Sequence, residues 1–363
     1  MDPRTAEAIS RGTADRQLLA RTYLGGTTQA DLLPIGKGEG TLLRDEYNDT
    51  YLDFGSGGAV LATGHSDDAV HSMVKVQSHH HIFGGAHGEY LDWRVMQYAK
   101  AISERFAPDA GGNPRQVMFL SSTYEARLVA SHMAAVQGQG ASFIDLLDPA
   151  GTPRDGGEIQ DWVHQAKARR SRVIVDETLT GFGRTGTFCY ADQFGFLPDV
   201  TILGPAVGAG FPMVAVVASA ELFSPETVRT LDEIMGIAGT VNPVACAAGL
   251  VVLGQLVPEM LDHVKEMGRI LHSDLDAVVD QFNHVFARHT GIGLIRTLHL
   301  REPLRGPAFR HYCRAAGLLV QPKLRLTPPL NCTEIQIRTA VDAIATAAIS
   351  IGADMQPEEQ NVL

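Results

Sequence analysis

The chain has 363 residues, 45% hydrophobic and only 7% aromatic, with 30 Lys+Arg against 41 Asp+Glu and a net charge of -11. That length buries a real core in one large or two ordinary domains, which excludes fibrous, disordered and disulfide-scaffold classes. The basic residues are scattered singly, which argues against nucleic acid or an anionic membrane as partner and leaves a small molecule or a protein.

Residues 5–21 carry apolar residues at helical spacing, and Pro34 with Gly36, Gly38 and Gly40 ends that pattern. TLLRDEYNDTYLDFGSG predicts a hairpin turning at Glu46 to Asp49. A helix is expected from Asp67, in DDAVHSMVKVQ, and a second in LDWRVMQYAKAISERF, stopped by Pro108. QVMFLSS then predicts a strand, YEARLVASHMAAVQ a helix, ASFIDLL a strand and EIQDWVHQAKARR a helix. The strands RVIVDE, DVTILG and MVAVVAS follow, separated by glycine-rich loops. Strands that alternate with helices and are apolar on both faces predict a mostly parallel, buried sheet.

Beyond Pro243 come the helices VACAAGLVVLGQL and EMLDHVKEMGRILHSDLDAVVDQF, then GIGLIRTLHLR as a strand, PAFRHYCRAA as a helix, LRLTPPL as an edge segment and a closing helix from Thr333. The expected organisation is 1–50 as an N-terminal helix and hairpin joining the small domain, 51–255 as a large α/β domain and 256–363 as a small α+β domain. Cys189, Cys246, Cys313 and Cys332 are far apart with no C-x-x-C pair, so neither a zinc site nor a disulfide framework is expected. With no apolar leader at the N-terminus and no stretch of about 18 uninterrupted apolar residues, a cytoplasmic protein is expected. Only six basic residues are lysines: Lys37, Lys75, Lys100, Lys167, Lys265 and Lys323.

In an open parallel sheet, ligands gather outside the carboxyl ends of the strands. RVIVDE ends there in Asp176 and Glu177, which desolvation could turn into a general acid or base. The plainer alternative is that one of them caps the next turn or pairs with Arg184. His79, His80, His81 and His87 crowd HHHIFGGAHG, but an extended segment sends neighbours to opposite faces, so at most two could share an ion. No H-x-x-x-H spacing is present, no metal site is expected, and solvent-facing or interface histidines are the simpler reading.

Read whole, VIVDETLTGFGRTGTFCYADQFGFLPDVTILGPAVGAGFP resembles the signature of class III pyridoxal-phosphate (PLP) aminotransferases, the group of ornithine, acetylornithine and omega-amino-acid transaminases. GEGTLLRDEYNDTYLDFGSGGAVLATGH, GTVNPVACAAGLVVL and LRLTPPL extend the likeness to nearly the whole chain. It implies a fold-type I α/β architecture, with a mostly parallel sheet in a large domain plus a smaller α+β domain. It also implies a homodimer whose active site is built across two subunits.

Family chemistry uses a lysine that forms a Schiff base with the cofactor aldehyde and then moves the substrate proton. The resemblance places it at the end of P-D-x-x-x-x-G-K, where PDVTILGP has Pro205, with no side-chain amine. That change marks either a lost function or a new one. In the phosphate turn, Ser122 to Ala126, Thr123 stands for a glycine and Tyr124 for a hydroxyl residue, so Tyr124 is expected to fill phosphate space. Leu179 replaces a glutamine that touches the cofactor phenol oxygen. Ala238 falls where a second phosphate ligand belongs, with Thr240 as its substitute if the loop is reshaped. An aromatic-His-Gly stretch that stacks on the pyridine, part of a unit of roughly 30 residues, is missing between AAVQGQG and ASFIDLL. Asp176, the partner of the pyridine nitrogen, is retained. Arg325 matches a position at the substrate end that could hold a carboxylate, with a surface ion pair as the alternative.

With the covalent anchor, ring stack and phosphate cradle altered together, no cofactor is expected. The functional expectation is a repurposed, PLP-independent enzyme that works on a small polar organic ligand by acid/base chemistry. Two alternatives stand beside it: a non-catalytic partner, as homodimer or heteromer with an active paralogue, and a lysine-free enzyme that binds PLP or its aminated form, PMP. An enzyme requires an open, polar cleft, whereas an interaction protein requires one filled by Tyr124 and Leu179.

Overall fold

The computed structural model describes residues 33–82, 92–135, 140–235 and 241–355. The residue 5–21 helix, His87, Ala238 and Thr240 lie outside them. Three sheets organise the described residues. The first holds β1 (Ile35–Glu39), β2 (Leu42–Asp45) and β3 (Thr50–Asp53), antiparallel in sequence, with the expected turn between β2 and β3. β1 lies where Pro34 and the glycines read only as the end of a helical pattern. The alternating glycines let it lie close to its neighbours, and a Cβ on Gly38 would sit 2.8 Å from the His65 side chain.

Two helices lead into the central sheet: α1 (Asp68–His80), capped by Asp67, and α2 (Trp93–Ser103), capped by Asp92. That sheet has the order β4 (Gln116–Leu120), β8 (Val214–Ala218), β7 (Val200–Leu203), β6 (Arg172–Glu177), β5 (Ala141–Ile144). All of its strands run the same way except β8, which is antiparallel to both neighbours. Helix α3 (Thr123–Ala135) buries Ala126, Val129, Ala130 and Met133 against Ile174, Ile202 and Val216 on one face. Helix α4 (Gly156–Ala168) packs Ile159 and Val163 on Val173 and Val175, the alternate residues of β6, and so covers the other face. Both faces are covered, which accounts for β7 and β8 being buried at every position. α3 is followed almost at once by the edge strand β5, as expected for a chain that lacks a strand-and-helix unit.

After β8 come α5 (Pro225–Met235), which the sequence reading passed over, and α6 (Pro243–Gln255), capped by Asn242 with Pro243 in its first turn. α6 is apolar all round and buried for most of its length, beside α2. Gly249 makes this approach possible, because a Cβ there would lie 2.1 Å from the Val207 carbonyl oxygen and 2.5 Å from the Tyr98 hydroxyl.

The C-terminal part contains α7 (Pro258–Gln281), β9 (Phe286–Ile292), β10 (Ile295–Leu300), α8 (Gly306–Ala315), β11 (Leu318–Leu319), β12 (Arg325–Leu326) and α9 (Glu334–Met355). GIGLIRTLHLR, expected as one strand, is the turn and second arm of the β9–β10 hairpin. β11 pairs in parallel with β3, so the N-terminal hairpin joins the C-terminal part. α9 has the length and hydropathy of a membrane span, but Ile337, Ala340, Ile344 and Ala347 are buried in the protein's own core. All four cysteine thiols are buried and free.

Tyr98 tests this scaffold. Its ring is fully buried and stacked on Phe119, and its hydroxyl donates to the Val207 carbonyl at 2.6 Å. Tyr98→Phe leaves that carbonyl unpaired, so chemical denaturation should show a loss of about 1–3 kcal/mol. An unchanged midpoint would show that the bond contributes nothing.

Candidate functional site

β6 pairs with β7 in the register Asp176 to Ile202 and Glu177 to Leu203, and strand alternation sends the two carboxylates to opposite faces. Glu177 goes inward and is 1% exposed. One of its oxygens accepts from the Thr180 hydroxyl and the other from the Ala191 N–H at 2.7 Å, which ties down both ends of the loop after β6. Burial raises its pKa from 4.5 to about 7, against the pull of these hydrogen bonds. It does not line the pocket at the strand end, so it is placed to hold the loop rather than to meet a ligand.

Asp176 goes outward. Its Oδ1 accepts from the Thr178 N–H at 2.9 Å, and its Oδ2 lies 2.8 Å from Arg127 Nε. Arg127 comes from the second turn of α3, reaches Asp145 at 3.5 Å and lies over the Phe143 ring at 5.7 Å. Sequence reading missed this cation. The available signal was spacing: Arg127 follows Thr123 by four residues and so shares its helix face. Arg184, proposed as a partner for the carboxylates, is instead buried, donates to the Pro328 carbonyl, and has its pKa lowered to about 10 by desolvation.

Asp176 lines a pocket of about 190 Å³ with Asp145, Leu146, Leu147, Thr178, Leu179 and Thr180. A void of about 150 Å³ holds a benzene ring, so this one has room for a single six-membered ring. Thr178 Oγ1, at its wall, is buried without a partner. Leu179 is half-buried and leaves the pocket open.

At the start of α3 a capping box forms. Glu125 accepts from the N–H groups of Ser121 and Ser122 at 2.8 and 3.1 Å, and its own N–H donates to Ser122 Oγ at 3.3 Å. The next two N–H groups, of Thr123 and Tyr124, stay open to an outside acceptor. Tyr124 is 73% exposed, so its ring stands in solvent and does not fill phosphate space as expected.

Pro205 opens a short 3-10 turn after β7. The preceding Gly204 presses on the loop after β6, where a Cβ would lie 2.0 Å from the Thr178 carbonyl oxygen. All six lysines are exposed and none lines the pocket. Pro205 and Arg325 are not in its wall either. Arg325, on β12 opposite Thr297, is half-buried; its Nε is buried without a partner, and desolvation lowers its pKa. No carboxylate pairs with it among the described residues. His79 and His80 belong to the last turn of α1 rather than to an extended segment, and His81 pairs with Asp92 at 2.8 Å.

Residues 160–348 match the model of the aminotransferase class-III family. The acetylornithine aminotransferase of Streptomyces coelicolor is 30% identical over 383 aligned residues, covering 86% of this chain and 90% of that protein. The aligned span exceeds the 363 residues of this chain, so the relative carries residues that this one lacks. An aminotransferase from Vibrio fluvialis in its PMP-bound form superposes with a TM-score of 0.81 at 19% identity, covering 93% of this chain and 98% of that one. The N-acetylornithine aminotransferase of Stenotrophomonas maltophilia gives 0.76 at 21% identity, with 93% and 99% covered. These matches support the fold-type I architecture and overturn the expectation of a chain without a cofactor, because the matched family is one of pyridoxal-phosphate enzymes. That expectation counted lost side chains. It noted the retained carboxylate, but the open pocket and the backbone donors are visible only in the fold.

Glu177 sets a pH dependence. Between pH 4.5 and about 7 the folded chain holds a proton that the unfolded chain has released, so stability falls as pH rises through that window. Glu177→Gln keeps one acceptor oxygen for the Ala191 N–H, turns its amide to the Thr180 hydroxyl, which then accepts, and removes the titration. Relative to this variant, the unmodified protein should lose up to about 3 kcal/mol between pH 4.5 and 7 in denaturant titrations. A constant difference across that range would show that Glu177 is ionised throughout.

Proposed function

The chain belongs to the class-III aminotransferase family, and from that premise we propose that it is a lysine-free enzyme that holds PMP, the aminated cofactor, without a covalent bond. The observation that carries this reading is the outward carboxylate of Asp176 in a ring-sized pocket, paired with Arg127 of α3, the helix whose start keeps two N–H groups open. The reading sets aside PLP-independent chemistry in the old cleft. An open pocket, rather than one packed with Tyr124 and Leu179, also weighs against a purely non-catalytic partner.

The residues present fit the group in three places. Asp176 faces a ring nitrogen and keeps it protonated, since a carboxylate at close range favours the cationic form. The Thr123 and Tyr124 N–H groups, with the positive end of the α3 dipole, receive a phosphate. The Thr178 hydroxyl, otherwise unpartnered, offers one polar contact at the pocket wall. Bound there, the cofactor supplies an amino group and a ring that takes up electrons from a substrate bond. Arg325, desolvated and without a carboxylate partner among the described residues, stands outside the wall of this pocket and is given no part in it.

Arg127 controls access. It already neutralises Asp176, so a cationic ring competes with a guanidinium for the same oxygen. Its side chain is 48% exposed, which makes the pair weak enough to exchange. The reading includes assembly as a homodimer, for which the exposed Trp93 and Met96 on α2 offer an apolar contact. Sedimentation should give the mass of two chains, and a one-chain mass contradicts it.

Titration with PMP, followed by thermal unfolding and cofactor absorbance, should give saturable binding. Asp176→Asn should weaken it about 10- to 100-fold, and Arg127→Asn should strengthen it by up to about 5-fold. Absence of binding in all three proteins refutes the reading. Pro205→Lys should gain a PLP adduct that borohydride reduction makes permanent, detected by mass, whereas the unmodified protein stays unlabelled. Equal labelling of both would mean that another lysine serves the site.

A further inference from the structure

Away from the strand-end pocket, α7 and β9 bring two imidazoles and a carboxylate together. His272 and Asp276 are one turn apart on α7 and so share a helix face. His289 stands on β9, which packs along α7. His289 Nε2 lies 2.8 Å from Asp276 Oδ1, and His272 Nε2 lies 3.6 Å from Asp276 Oδ2. The two rings meet edge to face with centroids 5.1 Å apart. The three ligand atoms all lie within 4.8 Å of one another.

We propose that His272, Asp276 and His289 form a site for a divalent first-row transition ion, zinc foremost, with water completing the coordination. The donor set selects the ion. Imidazole nitrogen suits zinc and its neighbours, while calcium and magnesium need oxygen ligands. Zinc bonds of about 2.0–2.2 Å place neighbouring ligand atoms roughly 3.4 Å apart, which lies between the two separations seen here. A small rotation of the His272 and Asp276 side chains, both more than half exposed, brings them to that spacing. The His289 side chain is only 4% exposed, so it forms the fixed wall of the site while the helix side remains open for entry.

Two features limit the affinity. His289 Nδ1 is buried and has no acceptor, so the ring lacks the outer hydrogen bond that usually orients a metal-bound histidine. Arg296 adds a positive charge nearby, although its guanidinium is turned to the carbonyls of Gly291 and Gly268. Asp276 is the carboxylate that opposes it. A bound ion would pin α7 to the β9–β10 hairpin and resist their separation on heating. None of this depends on the cofactor reading.

The test is calorimetric titration of the full, untagged chain with zinc chloride in the absence of cofactor, with magnesium chloride as control, and thermal unfolding alongside. Saturable binding of one zinc with a rise in Tm and no magnesium response is expected. His272→Ala, an exposed position, should leave the metal-free Tm unchanged and weaken zinc binding at least 10-fold, as should Asp276→Asn. Failure to bind zinc overturns the site, and so does binding that both variants keep, which would assign the ion to other surface histidines such as His79 and His80.

Discussion

Strand alternation at the end of β6 separates two adjacent carboxylates, and the rest of the site depends on that separation. Glu177 turns in and is held by Thr180 and by the Ala191 backbone, which fixes a loop of more than ten residues at both ends. Asp176 then has only one direction left, outward beside Thr178. Gly204 completes the arrangement, since only a residue without Cβ lets the turn after β7 rest on the Thr178 carbonyl. Pro205, at the head of that turn, is thereby set beside the loop of Asp176. The inner carboxylate holds the loop and the outer one faces the pocket.

An outward carboxylate that is largely desolvated needs a cation. Its side chain is only 11% exposed, and Arg127 supplies the charge from α3. Arg127 is held loosely, by the Phe143 ring on one side and by the more distant Asp145 on another. On the proposed reading a ligand displaces this resident counter-ion. Affinity is then the difference between two ion pairs, smaller than either alone. On the proposed reading no covalent bond makes up that difference, and the backbone donors at the start of α3 carry the rest.

Much of the fold is legible in the residues. β5, β6, β7 and β8 read as apolar runs because both faces of their sheet are covered, and the capped helices follow Asp67, Asp92 and Asn242 as local rules require. β1 was hidden by its glycines, and β9 by its polar residues such as Arg288 and His289, whose partners lie on the far arm of a hairpin. At the site, Asp176 and the altered helix start were legible, and the direction of side chains was not. A motif comparison shows that Tyr124 replaces a small residue, but only the fold shows that its ring points to water. Arg127 escaped notice for the same reason, because its importance lies in a contact with a strand nearly fifty residues away. The expectation of a chain without a cofactor failed because it treated each substitution as a loss.

The central claim is that Asp176 holds a protonated ring nitrogen. Nitrogen NMR of PMP labelled at the ring nitrogen measures this directly. In the presence of the protein, the ring signal should stay at the protonated position to a pH well above that at which the free cofactor loses its proton, and Asp176→Asn should abolish the difference. A bound cofactor whose ring titrates as it does in free solution would contradict the account.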